Sequence, residues 1–147
     1  MLRPLRPGQT VAIAAGSREI TNLALLVRTL IAALQEKGAR PFLVPAMGSH
    51  GGATAEGQRE ILRGYGLSEE ALGVPVLSSM ETVCLAHTPQ HNYPVYLDRF
   101  AAQADWIIPI GRIKPHTDIR GPIQSGVAKL PVIMPNERLA FQLALHT

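Results

Sequence analysis

The chain has 147 residues, enough for one domain with a substantial hydrophobic core that needs neither disulfides nor a structural metal. Hydrophobic residues make up 46% of it and charged residues 17%, a balance that excludes a globally disordered protein. Cys84 is the only cysteine, which excludes an internal disulfide and a multi-cysteine zinc or iron–sulfur site. We expect Cys84 to be a half-buried structural residue and not a nucleophile, because no neighbouring motif supplies a base.

The sequence carries no signal for a membrane span. Its longest apolar stretch, Leu23–Leu34, is interrupted by Arg28 and falls short of the ~18 continuous apolar residues that a span requires. The apolar run Val11–Ala15 is also too short for the hydrophobic region of a signal peptide. The sequence therefore predicts a cytoplasmic protein that does not associate with membranes.

Predicted strands and helices alternate along the chain. Val11–Ala15 and Pro41–Pro45 are apolar runs typical of buried strands. Between them, Asn22–Lys37 has apolar residues at helical spacing, and Gly38 follows as a helix-ending glycine. A second helix is predicted from Thr54 to about Tyr65. The later predicted elements are a helix at Ser68–Leu72, strands at Val74–Ser78, Thr82–Ala86 and Pro94–Leu97, a helix from Asp98 to Gln103, and a strand at Trp106–Ile110.

This order of elements predicts one α/β domain over residues 1–147, with a mostly parallel, Rossmann-like sheet flanked by helices. We also expect some mixed pairing in that sheet. In an open parallel sheet, the loops that leave the carboxyl ends of the strands gather at one crevice. Functional side chains are therefore expected in the loops that follow the predicted strands.

The loop Ala46–Thr54 has the composition of a ligand-binding loop. Gly48, Gly51 and Gly52 surround His50, and glycine permits positive φ and a close approach of a ligand to the backbone. The loop matches neither a Walker motif nor the Gly-x-Gly-x-x-Gly of a dinucleotide fold. Two interpretations stay open: a plain strand-to-helix turn, or a binding loop that presents His50.

The loop Gly111–Lys129 carries the excess positive charge of the chain. It holds four cations, Arg112 and Lys114 among them, against Asp118 alone, while the whole chain has a net charge of +3. Interleaved aromatic residues are missing from its sequence and prolines interrupt it, which argues against a nucleic-acid surface. A compact anion such as a phosphate or carboxylate suits this loop better. His116 lies in the same loop, and His50 lies in the loop after another predicted strand. The sequence therefore predicts a site that contains both histidines.

These residues carry a resemblance to a known family. The stretch Val44–Glu56 resembles the Ala-Thr-Gly-x-His-Arg-Pro-x-Thr-x-Glu-Glu segment of the lactate racemase family, and the stretch Ala104–Lys129 resembles the segment with its second histidine and cofactor lysine. The most specific part of the resemblance is an ordered series of four residues: Arg18, His50, His116 and Lys129.

The resemblance implies a racemase or epimerase, an isomerase that acts on a small 2-hydroxy acid or a related anion. In that family two histidines exchange the hydroxyl proton of the substrate while hydride moves to the cofactor, a nickel-pincer nucleotide, and back. The resemblance assigns His50 and His116 as this acid–base pair and Arg18 as the group that binds the substrate carboxylate. Imidazole titrates near neutral pH, and the guanidinium fork matches a carboxylate, so the residue types agree with these roles.

The same resemblance assigns the cofactor-binding residues. Lys129 corresponds to the lysine that is bonded covalently to the cofactor, and Thr117 and Ser125 are assigned as further cofactor-binding residues. His146 lies at about the separation of the nickel-binding histidine of the family, and an inert residue near the chain end stays open as the alternative. Gly51 and Gly52 stand where the family has Arg-Pro after the first histidine, which points to a substrate other than lactate.

The family has a second, C-terminal domain that closes over the substrate, and no counterpart follows residue 147 in this sequence. We therefore expect a fragment of a longer protein or a truncated gene product, with negligible racemisation by the chain alone because water enters an open crevice. Two alternatives stay open: a non-catalytic anion-binding α/β module, and a metal-dependent hydrolase that uses His50 and His116.

Overall fold

The computed structural model describes residues 4–16, 20–87, 92, 94–112 and 143–145, the last three by their backbone alone. In chain order the elements are β1 (Thr10–Ala15), α1 (Leu23–Glu36), β2 (Arg40–Pro45), a short 3-10 turn (Gly51–Ala53), α2 (Ala55–Gly64), α3 (Glu69–Leu72), β3 (Thr82–His87), β4 (Pro94–Asp98), α4 (Arg99–Ala102), β5 (Trp106–Arg112) and β6 (Leu143–Leu145). The sequence thus predicted every helix, and most of the strands, to within a residue or two.

The fold is α/β, as predicted, and its main sheet is parallel. Its four strands lie in the order β2-β1-β5-β6, and every neighbouring pair runs parallel. The expected mixed pairing does not occur among these strands. The antiparallel pair, β3 with β4, forms a separate two-stranded sheet with an irregularity between Cys84 and Ala86.

Alternate residues of β1 enter two hydrophobic clusters, one on each face of the sheet. Ile13 lies in the cluster formed with α1, whereas Ala12 and Ala14 lie in the cluster formed with Val44 and Ile107. All but the first residue of β1 are buried, which explains its unbroken apolar sequence. On α1 the buried residues recur every three or four positions, so that one face of the helix packs on the sheet: Leu23, Val27, Ile31 and Leu34.

Both long helices end at a glycine with positive φ. Gly38 follows α1 with φ +74°, its N–H donates to Gln35 O at 2.8 Å, and Ala39 N donates to Leu34 O at 3.0 Å. The same pair of bonds ends α2 around Gly66. This is the Schellman arrangement, and it confirms the predicted helix ends. Within the described ranges, no helix is both long enough and apolar enough to cross a membrane.

The predicted strand Val74–Ser78 is wrong. It forms a single bridge to β2, in which Leu43 N donates to Pro75 O and Leu77 N donates to Leu43 O, each at 2.9 Å. Extending this parallel ladder in either direction requires a backbone N–H at Pro41 or Pro45, and proline has none. The prolines that bound β2 therefore stop the pairing after one residue.

The predicted half-burial of Cys84 is also wrong. Cys84 is exposed on β3, where its thiol donates a weak hydrogen bond to Ala86 O at 3.6 Å. The two-stranded sheet has only one covered face, and Cys84 lies on the other with its cross-strand partner Tyr96, which is 49% exposed.

Candidate functional site

The carboxyl ends of three neighbouring strands coincide. Ala15, near the end of β1, lies opposite Pro45 of β2 and Ile110 of β5. Backbone hydrogen bonds continue just past this row, from Ala46 N to Ala15 O at 2.7 Å and from Gly16 N to Ile110 O at 3.4 Å. Strands β1, β2 and β5 therefore end at one edge of the sheet, which we call the carboxyl edge. This is the starting arrangement that the sequence predicted.

His50 lies in the loop between β2 and α2 and is exposed. Its backbone N–H donates to Met47 O at 3.2 Å, and Met47 is 7% exposed, so this residue anchors the loop in the core below. Ala53 N donates to Ser49 O at 3.1 Å and closes the loop on its other side. The imidazole thus stands in solvent on a loop whose backbone is hydrogen-bonded on both sides.

The glycines around His50 are required by conformation. Gly48, Gly51 and Gly52 have φ values of +58°, +69° and +68°, which side-chain-bearing residues rarely adopt. Ala53 has φ +53°, a strained conformation for a residue with a Cβ. At Gly48 and Gly52, an added Cβ would meet no described atom within 4 Å. These two positions therefore leave backbone open to whatever occupies the carboxyl edge.

Gly51 serves a different purpose from its neighbours, since it packs directly against α2. A Cβ at Gly51 would lie 2.4 Å from the backbone carbon of Gly57, and a Cβ at Gly57 would lie 1.9 Å from Gly51 O. Thr54, the N-cap of α2, accepts from Gly57 N at 3.0 Å and donates its hydroxyl to Gly51 O at 2.9 Å. The loop is thereby fixed to the first turn of the helix.

Sequence reasoning missed Gln58. Its side chain is 4% exposed and donates from Nε2 to Gly48 O at 2.7 Å. The signal was present in the sequence as a polar residue on the apolar stripe of α2, four positions before the fully buried Leu62. The acceptor could not be predicted, because a loop carbonyl has no sequence signature.

The other predicted site residues lie outside the described part of the chain: Arg18, His116, Thr117, Ser125, Lys129 and His146. The structure therefore places His50 at the carboxyl edge and leaves its pairing with His116 a prediction. Among the described side chains, no group of three or more His, Cys, Asp or Glu residues is arranged to hold a metal ion.

The parallel sheet flanked by helices places this chain in the α/β class, and the exposed histidine and the glycines lie at the edge where open α/β sheets commonly bind ligands. The family model of the lactate racemase N-terminal domain matches residues 4–136. The chain therefore belongs to the lactate racemase N-terminal domain family. No curated protein sequence matches it.

Proposed function

We propose that this chain is the cofactor-bearing domain of a nickel-pincer-dependent racemase or epimerase of 2-hydroxy acids or related small anions. The observation that carries the proposal is the position of His50. Within a chain that matches the lactate racemase N-terminal domain over residues 4–136, the first histidine of the proposed pair is exposed on the loop that follows β2.

The described residues at the carboxyl edge fit a bulky, anionic cofactor. At Gly48, Gly52 and Gly111, an added Cβ would meet no atom of the described residues within 4 Å. The basic loop that follows β5 would hold the phosphate of the cofactor by charge. Lys129 would be bonded covalently to the cofactor, and Thr117 and Ser125 would be polar partners of the cofactor. His146 would ligate the nickel. When bound, the nickel-pincer nucleotide supplies a hydride acceptor, which no amino-acid side chain provides.

The residues of the chain itself would handle the proton and the carboxylate. Inverting a carbon that bears a hydroxyl and a hydrogen needs a proton acceptor on each side, and His50 and His116 would serve as this pair. One histidine, as neutral imidazole, would accept the hydroxyl proton, and the histidine on the other side, as imidazolium, would donate its own proton to the same oxygen when the configuration has been inverted. Arg18, in the loop after β1, would hold the substrate carboxylate through a bidentate contact.

The test is to coexpress the chain with enzymes that make the nickel-pincer nucleotide and to measure the mass of the peptide that contains Lys129. We expect a covalent addition at Lys129 together with bound nickel. Lys129→Ala should abolish both, and Lys129→Arg should not restore them, because a guanidinium stays protonated and is a poor nucleophile.

The matched control is Lys37→Ala, an exposed lysine at the end of α1 far along the chain from the cofactor loop, which should leave the addition unchanged. An unmodified Lys129 in protein that folds normally would contradict the proposal. It would leave a non-catalytic anion-binding domain as the better account of the basic loop.

A further inference from the structure

Gln58 is unusual because it is polar and buried. Within the described ranges, Gln58 is the one polar residue that is buried, at 4% exposure. The other buried residue of α2 is Leu62. A buried amide is unfavourable unless its donors and acceptors find partners, whereas leucine or methionine of similar volume carries no such requirement. The amide at position 58 therefore calls for an explanation beyond core packing.

The partner of Gln58 lies in the histidine loop. The Nε2 group donates to Gly48 O at 2.7 Å, although Gly48 is itself exposed and has φ +58°. A Cβ at Gly48 would contact no described atom, so a side chain at this position would add no packing, although the preceding Met47 is buried in the core. The hydrogen bond from Gln58 is the side-chain contact that joins Gly48 to α2.

The segment after His50 is held by the same turn of α2. Gly51 O accepts from the Thr54 hydroxyl at 2.9 Å, and Gly51 packs against the backbone of Gly57. His50 thus lies between two attachment points on one helix turn, one made by backbone contact and one made by the Gln58 side chain. Removing the second would leave the loop attached at the buried Met47 and at Gly51, without the hydrogen bond that fixes Gly48.

We propose that Gln58 is a positioning residue for His50: its amide fixes Gly48 and thereby sets where the imidazole stands relative to the carboxyl edge. The catalytic consequence of this role rests on the proposed function. The positioning itself does not, since it concerns only contacts within the chain.

The test uses Gln58→Met, which keeps the volume and removes the donor, in the 147-residue chain. We expect the backbone residual dipolar couplings of residues 48–53 measured by NMR to depart from those of the native chain, while those of α2 and β1 stay the same. Gln35→Met is the matched control, because Gln35 is exposed on α1 and its replacement should change neither set.

The loop couplings distinguish positioning from a merely structural role. A structural role would lower the unfolding temperature of Gln58→Met and leave the couplings of residues 48–53 intact, and that result would overturn the proposal. Failure of the proposed function would instead appear as an unmodified Lys129 in the native chain, with the coupling result unaffected.

Discussion

The two edges of the parallel sheet are built in opposite ways. At the opposite edge, where the strands begin and which we call the amino edge, side chains join β1 to β5. Thr10 N and Oγ1 both donate to Asp105 Oδ2, at 2.8 and 2.9 Å, and Trp106 Nε1 donates to Gln9 Oε1 at 3.0 Å. At the carboxyl edge, glycines with positive φ follow β2 and His50 is left exposed. One edge holds strands together through polar side chains, and the other leaves polar groups and backbone accessible.

The difference separates polar side chains that join two strands from a loop that leaves a histidine accessible. Polar groups at the amino edge are partnered within the fold, so replacing one changes the free energy of unfolding. Strain at the carboxyl edge, at Ala53 above all, is tolerated where a loop must present a functional group. Substitutions at the two edges should therefore have different effects, and the following predictions test that expectation in order of decreasing size.

The largest effect is expected at the contact between the histidine loop and α2. Gly57→Ala adds a Cβ 1.9 Å from Gly51 O, so either the loop or the helix must move. We expect the free energy of unfolding to fall by about 2 kcal/mol, measured by chemical denaturation, although alanine is normally the better helix former.

Gly64→Ala is the matched control for that change. Gly64 lies in the last turn of the same helix, and a Cβ there would meet no described atom within 4 Å. It should raise the free energy of unfolding by about 0.5 to 1 kcal/mol through helix propensity. Equal effects of the two substitutions would contradict the close contact between Gly51 and Gly57.

A smaller effect is expected at the amino edge. Asp105→Ala removes the acceptor of two hydrogen bonds from Thr10. Because Asp105 is exposed, hydrogen bonds to water would partly replace these two bonds. The free energy of unfolding should fall by about 1 kcal/mol, and Asp105→Asn, which keeps an acceptor oxygen, should lose less. Amide chemical shifts of residues 48–53 should not change in either variant. Shifts in that loop would show that the two edges are coupled and not separate.

Much of this fold could be predicted because its signals are local. Helix α1 and its end at Gly38 follow from apolar spacing and a glycine, both visible within a short window of sequence. The strand predicted at Val74–Ser78 failed because its pairing depends on which residues of β2 lack an N–H group. That information lies in a distant segment and enters only when the two segments meet.

The candidate site shows the same limit. The glycines around His50 indicated a special turn, and the structure gives each of them a positive φ. The role of Gln58 depends on a loop carbonyl ten residues away, and that of Asp105 on Thr10, 95 residues away. Sequence pattern therefore located the loop, whereas the contacts that hold it required the fold.

We propose that the carboxyl edge brings His50 and His116 to one site. It can be tested directly in a Cys84→Ser background, which removes the only cysteine. One variant carries His50→Cys with His116→Cys, and its control carries Lys37→Cys with His116→Cys, since Lys37 precedes β2 at the amino edge.

Both variants are treated with a short bifunctional maleimide, and the intramolecular crosslink is measured from the masses of the linked peptides. We expect efficient crosslinking between positions 50 and 116 and little between positions 37 and 116. Crosslinking to position 37 that equals or exceeds crosslinking to position 50 would contradict the two-histidine site.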